Sequence, residues 1–199
     1  ELDDNNSLIR FLLYSCDYDV EGLVYASSSV HWAGDGKGST WYVPGREYAH
    51  LGIVTPMKSW RWKPGQSHIE DVLDAYAKVY QNLEKHRKDY PSPEYLRSKY
   101  RIGNIEFDGD FSKDTPGSEL IKSVVLDDGE RPVYVQAWGG CSTIARALKS
   151  IADIYSNTAQ WRYIKKKVEN KMILCLSGDQ DDTYAKYIRP FWPGVKVVQ

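Results

Sequence analysis

Val133-Tyr134-Val135-Gln136-Ala137, then Trp138-Gly139-Gly140-Cys141, then Ser142-Thr143-Ile144-Ala145-Arg146-Ala147-Leu148 reads as a strand, a glycine turn and a helix that runs on to Tyr155. Downstream, Met172–Leu176 is another strand, Thr183–Phe191 is helical, and Val195–Val198 starts a further strand. Upstream, Ser118–Leu126 is a helix and Gly103–Asp114 a loop. Residues 68–89 carry the clearest helical pattern, with Ile69, Val72, Leu73, Tyr76, Val79, Tyr80 and Leu83 along one side. Ser67 is expected to cap that helix, Glu70 to complete a capping box, and Pro91 and Pro93 to end it before a short helix over 93–100. Near the start, Asn5, Asn6 or Ser7 can cap a first helix striped by Leu8, Phe11 and Leu12, which ends near Ser15–Asp17. A buried strand over Val20–Ala26 follows, stopped by Ser27-Ser28-Ser29. Strands alternating with helices predict an α/β fold with a mainly parallel sheet flanked by helices.

Residues 31–67 break this rhythm. Gly34, Gly36, Gly38, Pro44, Gly45, Pro56, Pro64 and Gly65 make the segment mostly loop, and it holds Trp32, Trp41, Trp60 and Trp62. A loop of this length in a compact domain is often functional, although its tryptophans could equally pin it to the body. Aromatics are abundant throughout (Trp 7, Tyr 15), which suits carbohydrate or base stacking and core packing alike. The net charge of −1 creates no field that would favour nucleic acid or an anionic membrane, so neither is expected as a partner. No apolar run approaches the roughly 20 residues that span a bilayer. Cys16, Cys141 and Cys175 lack any CxxC spacing, which argues against a disulfide scaffold or structural zinc and leaves the redox compartment and oligomeric state open.

In open α/β sheets, ligands sit beyond the carboxyl ends of the strands. Trp138–Thr143 and Ser177–Asp182 follow strands, and Glu1-Leu2-Asp3-Asp4 precedes the first helix. Parallel neighbours would bring these polar clusters to one edge. Asp3-Asp4 and Asp181-Asp182 at helix starts are explained by the helix dipole alone, yet adjacent carboxylates also suit a hard cation such as calcium, which takes about six to eight oxygens.

Glu1–Ser15 resembles the opening of the nucleoside-hydrolase-like domain found in secreted proteins often labelled cellulose-binding, within the inosine-uridine nucleoside hydrolase superfamily. Val133–Leu148 resembles that family's second signature, and Pro116-Gly117-Ser118-Glu119-Leu120-Ile121 is similar to it as well. The likeness covers nearly all of 1–199, as one nucleoside-hydrolase-like (Rossmann-like) domain expected to lack an N-terminal strand and a C-terminal part. It implies a secreted protein.

By this resemblance, Asp3 and Asp4 fall on the last two aspartates of an Asp-x-Asp-Pro-x-x-Asp-Asp opening. Asp4 would then be a bidentate calcium ligand, and Asp3 a catalytic residue orienting the sugar hydroxyls and the attacking water. The metal-binding backbone carbonyl falls on Ser142. The catalytic base is expected two residues before Glu1, and a later metal-binding aspartate beyond Gln199. A sugar-binding asparagine falls near Ser29, a departure, and the usual sugar-gripping Asn and Glu are not recognisable around Gly178–Asp182. In such a site calcium holds sugar hydroxyls and acidifies a water, while surrounding oxygens stabilise an oxocarbenium-like transition state. With one base and one ligand outside it, the chain alone is expected to bind calcium poorly.

Ser29, His31, Trp32 and Asp179 are the candidate substrate-binding residues. His31 opens the long loop, although lone histidines are more often structural. Asp35 in Gly34-Asp35-Gly36 suits a turn, Lys165-Lys166-Lys167 a solvated helix face, and Cys141 packing, since no His–Asp pair marks it as a nucleophile. Two functions follow: a calcium-dependent glycosidic-bond hydrolase acting on a nucleoside or related glycoside, or a carbohydrate-binding module that keeps the fold without catalysis. Both place Asp3, Asp4, Ser142 and Asp179 on one sheet edge bordered by the tryptophan loop.

Overall fold

The computed structural model describes residues 2–65 and 67–198. Glu1 and Gln199, which bound the predicted domain, lie outside them. In chain order the helices are α1 (Leu2–Leu13), α2 (Glu47–His50), α3 (His68–His86), α4 (Pro93–Ser98), α5 (Pro116–Leu126), α6 (Ser142–Tyr155), α7 (Trp161–Lys171) and α8 (Arg189–Phe191). The strands are β1 (Leu23–Tyr25), β2 (Tyr100–Ile102), β3 (Val133–Ala137), β4 (Met172–Leu176) and β5 (Lys196–Val198). The chain divides into two compact units, one from Glu1–Tyr25 and Gly65–Arg101, the other from Ala26–Pro64 and Ile102–Gln199.

In the first unit, α1 and α4 pack on α3. Leu8 and Leu12 of α1 are buried, as are Val72, Leu73 and Tyr76 of α3 and Leu96 of α4, in keeping with the helical spacing of these apolar positions. Three local expectations are corrected. The first helix starts at Leu2, so Asn5, Asn6 and Ser7 lie inside it, and Asp3 and Asp4 occupy its first turn, where the dipole favours anions. Ser67 holds the N-cap position of α3, but its side chain makes no cap bond; its hydroxyl meets the Tyr100 hydroxyl at 3.0 Å. β1 is shorter than the expected strand, and it pairs in a two-stranded sheet with β2, which takes up the end of the helix expected over 93–100.

In the second unit, β3, β4 and β5 form a parallel sheet in the order β3-β4-β5. Val133 faces Met172, Ala137 faces Leu176, and Leu174 faces Val197. The observed bounds of β3, α6 and β4 match those read from the sequence. Helix α6 is buried from Ser142 through Leu148. Its Ile144, Ala145, Leu148 and Ile151 share a core with Val168, Met172, Leu174, Ile188 and Trp192. The fold is thus α/β, a parallel sheet flanked by helices. The 31–64 segment is loop apart from α2 and the bridges Ser28–His31, Trp32–Trp60 and Trp41–Met57.

Candidate functional site

Four loops of the second unit converge past the carboxyl ends of β3 and β4. The ladder continues one step beyond the strands, where the Ser177 N–H donates to the Ala137 carbonyl (2.9 Å). The chain after β3 then turns through Gly139-Gly140 into α6. A Cβ on Gly140 would run into Asp181 Oδ2 and stand 2.9 Å from the Ser27 carbonyl, and one on Gly139 would stand 3.0 Å from Ser28 Cβ. These glycines therefore permit a close crossing of the 27–29, 138–142 and 179–183 segments. The fourth loop joins at Ser27, whose N–H donates to the Asn104 carbonyl (2.8 Å). Asn104 in turn takes its N–H to Thr143 Oγ1 at 2.8 Å.

Asp181 lies at the centre and is fully buried. Its Oδ2 accepts the Ser142 N–H at the first turn of α6 (2.9 Å), and its Oδ1 accepts both the N–H (3.1 Å) and the hydroxyl (2.6 Å) of Thr183. The carboxylate thereby satisfies an orphan donor that every helix start leaves open. Asp179 is half-buried and accepts the N–H groups of Tyr184 and Ala185 (3.1 and 2.9 Å), at the start of a wide helical turn over Tyr184–Ile188. Burial raises its pKa, and those backbone donors pull the other way. Burial likewise pushes the Cys141 thiol far up, reinforced by the Asp181 charge, so Cys141 is a neutral packing group.

Cys141 Sγ and one carboxylate oxygen each from Asp179 and Asp181 lie within 4.8 Å of one another, close enough to hold a metal ion. The chemistry of this set does not fit calcium, which takes only hard oxygens, about six to eight of them. A protonated thiol is no such ligand, and each carboxylate oxygen of the set already accepts a hydrogen bond.

Beside this centre sits an ion pair that the sequence did not reveal. Arg46 Nε stands 2.9 Å from Asp108 Oδ2, and both side chains are buried. The N–H points off the oxygen, so charge rather than a directed hydrogen bond joins them. A second guanidinium nitrogen reaches Asp182 Oδ2 at 2.9 Å. Burial pushes the Asp108 carboxyl up to about 6 against the pull of Arg46. Arg46 and Asp108 fall in stretches read as turn and loop, 62 positions apart by their numbers, and no local spacing links them.

The predicted site residues distribute as follows. Ser142 and Asp179 belong to this convergence, as does Ser29, which is fully buried. The hydroxyls of Ser29 and Ser142 are both buried without a hydrogen-bond partner. His31 sits at the rim, its Nδ1 3.1 Å from Ser28 Oγ and its ring stacked on Trp62. Trp32 is fully enclosed, against Tyr48 and Trp60, and Trp41 is tied down by its indole N–H to the Asp108 carbonyl (3.1 Å) and by stacking on Phe107. These two tryptophans pin the loop. Asp3 and Asp4 belong to the first unit, at the start of α1.

Parallel strands with polar loops gathered at their carboxyl ends define an open-sheet α/β protein, a class whose ligands sit beyond that edge. The chain belongs to the family described as cellulose-binding Sde182, nucleoside hydrolase-like domain, whose model matches residues 1–199. It is also similar to a solved structure from Saccharophagus degradans, a nucleoside hydrolase-related hypothetical protein associated with carbohydrate metabolism. The two are 26% identical with a TM-score of 0.68; the match covers 95% of this chain and 38% of that one. No curated protein matches the chain.

Proposed function

We propose that the domain recognises the sugar of a glycoside or glycan at the carboxyl ends of β3 and β4. The observation that carries this reading is the pair of buried, unpaired hydroxyls, Ser29 and Ser142, in the loops that gather around Asp179 and Asp181. Buried polar groups are nearly always satisfied, and a sugar supplies hydroxyls that both donate and accept. Asp179 uses two of its roughly four acceptor positions on backbone N–H groups, which leaves it able to accept from a ligand. The family's description and the relative's association with carbohydrate metabolism agree with a glycan ligand.

Binding without catalysis is favoured within this unit. Asp181 is enclosed and engaged on both oxygens, so it is not placed to take a proton from water. The second reading, a calcium-dependent glycosidic-bond hydrolase of a secreted protein, rests on the family resemblance of Asp3 and Asp4, in the first turn of α1, with Asp3 as the catalytic residue and Asp4 as a calcium ligand.

Calorimetric titration with cellohexaose and with inosine, each with and without calcium, separates the readings. Saturable heat with cellohexaose that Asp179→Asn weakens, with no base released from inosine, is the expected result. Calcium-dependent base release that Asp3→Asn abolishes would replace it with the hydrolase. No heat from either ligand would sink the sugar reading.

A further inference from the structure

A hollow of about 280 Å³ opens at the other end of α6, lined by Lys149, Ala152, Asp153 and Ser156 of that helix and its C-cap and by four aromatic residues. It lies roughly 15 Å along the helix from Ser142, at 1.5 Å of rise per residue. The lining is of two kinds. Lys149, Asp153 and Ser156 follow one another at helical spacing and present an ammonium, a carboxylate and a hydroxyl along one face. The rest of the lining is aromatic: Trp161, Tyr187, Phe191 and Trp192.

The aromatic lining is built to stay in place. Trp192 is buried and meets Trp161 edge-on at 5.4 Å. Tyr187 stacks on Phe191 at 5.1 Å and 28°, and Phe111 supports Tyr187 from behind at 5.2 Å. Phe191 remains 58% exposed, so its ring is open to a ligand. The polar lining is also ordered. Lys149 Nζ bonds both oxygens of Asp153 (2.8 and 2.9 Å), and Arg146 approaches the same carboxylate at 3.4 Å. Both Lys149 and Asp153 remain accessible, at 38% and 48%.

We propose that this hollow is a second sugar site, taking one pyranose ring of a glycan against its aromatic and polar lining. A pyranose has a face of C–H groups that packs on aromatic rings and a rim of hydroxyls that needs both donors and acceptors. The hollow's lining offers both kinds of surface, aromatic rings and a few placed polar groups that orient a ligand. The Lys149 ammonium and the Asp153 carboxylate bond each other, yet both stay accessible and keep further donor and acceptor positions for a ligand's hydroxyls. The choice of a glycan as ligand rests on the sugar reading of the domain; the location does not.

The test is calorimetric titration of the 199-residue chain with cellohexaose, comparing Phe191→Ala, Phe191→Tyr, Lys149→Met and Asp179→Asn. Phe191→Ala and Lys149→Met should each weaken binding about tenfold, as loss of a ring contact or a charged partner does, while Phe191→Tyr keeps it. Phe191 is exposed, so an unchanged melting temperature for Phe191→Ala separates lost binding from lost folding. If Asp179→Asn weakens binding and the α6-end variants do not, the second site is refuted and the strand-end site stands. The reverse pattern keeps the second site and removes the first. Binding that none of the variants alters, or no binding by the unaltered chain, overturns the proposal.

Discussion

Replacing Gly140 with alanine tests whether the strand-end loops are held together by the Asp181 carboxylate. Gly140 does not adopt a positive φ, so alanine is not excluded by its backbone. The cost is steric: the new methyl runs into Asp181 Oδ2 and sits 2.9 Å from the Asp181 carboxyl carbon and from the Ser27 carbonyl. Forcing a methyl into packed surroundings costs about 1–3 kcal/mol. Displacing the carboxylate also weakens its bond from the Ser142 N–H, and a hydrogen bond to a charged group contributes about 1.5–3 kcal/mol. A loss of about 3 kcal/mol is expected, lowering the melting temperature by about 10 °C in a chain of this size. Asp181→Ala removes three accepted bonds and should cost a similar amount, about 3 kcal/mol. In the double variant most of the clash disappears with the carboxylate, leaving only the Ser27 carbonyl in the way. The two costs should therefore fall short of additivity by about 1–2 kcal/mol. All seven tryptophans lie in the second unit, so urea unfolding followed by tryptophan fluorescence reports the relevant part of the chain. If the two costs add to within about 0.5 kcal/mol, Gly140 and Asp181 do not interact as described.

Two further outcomes are expected. Asp108 is buried with its folded-state pKa raised to about 6, so the stability contributed by its protonated form is fully present below the unfolded value near 4 and is lost as pH rises through about 6. Asp108→Asn should therefore gain stability relative to the unaltered chain as pH goes from 4 to 6, by about 3 kcal/mol at most; a difference flat across that window in urea unfolding would contradict the burial effect. Cys141 is buried and protonated, so alkylation at neutral pH followed by peptide mapping should modify it only after unfolding, and early labelling would show the turn after β3 to be open.

The strand–turn–helix from Val133 to Tyr155 was legible because three independent signals agree there: a short β-rich run, a double glycine and a helix-spaced apolar series. Met172–Leu176 was legible for the same reason. Tyr100–Ile102 was not, since three residues carry too little alternation to outvote the helical pattern before them. The start of the first helix was misplaced because Asn5, Asn6 and Ser7 are good caps, while Asp3 and Asp4, which fill the first turn, are only weak markers of it. In the candidate site, Ser142 and Asp179 could be placed by their position after strands. The central role of Asp181 could not, because it depends on a backbone N–H 39 residues away. The Arg46–Asp108 pair was invisible for the same reason, as tertiary packing alone brings these residues together. Trp32 and Trp41 were ambiguous in the sequence, and only the enclosure of Trp32 and the hydrogen bond and stacking of Trp41 distinguish anchoring from display.

Asp181 also bears on how this fold can diversify. Because one carboxylate serves the α6 start and the Thr183 turn, and needs Gly140 to make room, the loops after β3 and β4 form one heritable module. Exchanging the loop after β4 alone would strand the Ser142 N–H, and exchanging the loop after β3 alone could close the space that Gly140 leaves for the carboxylate. New specificity at this edge is therefore expected to arise by changing the rim, around His31 and Trp62, or by transplanting both loops together.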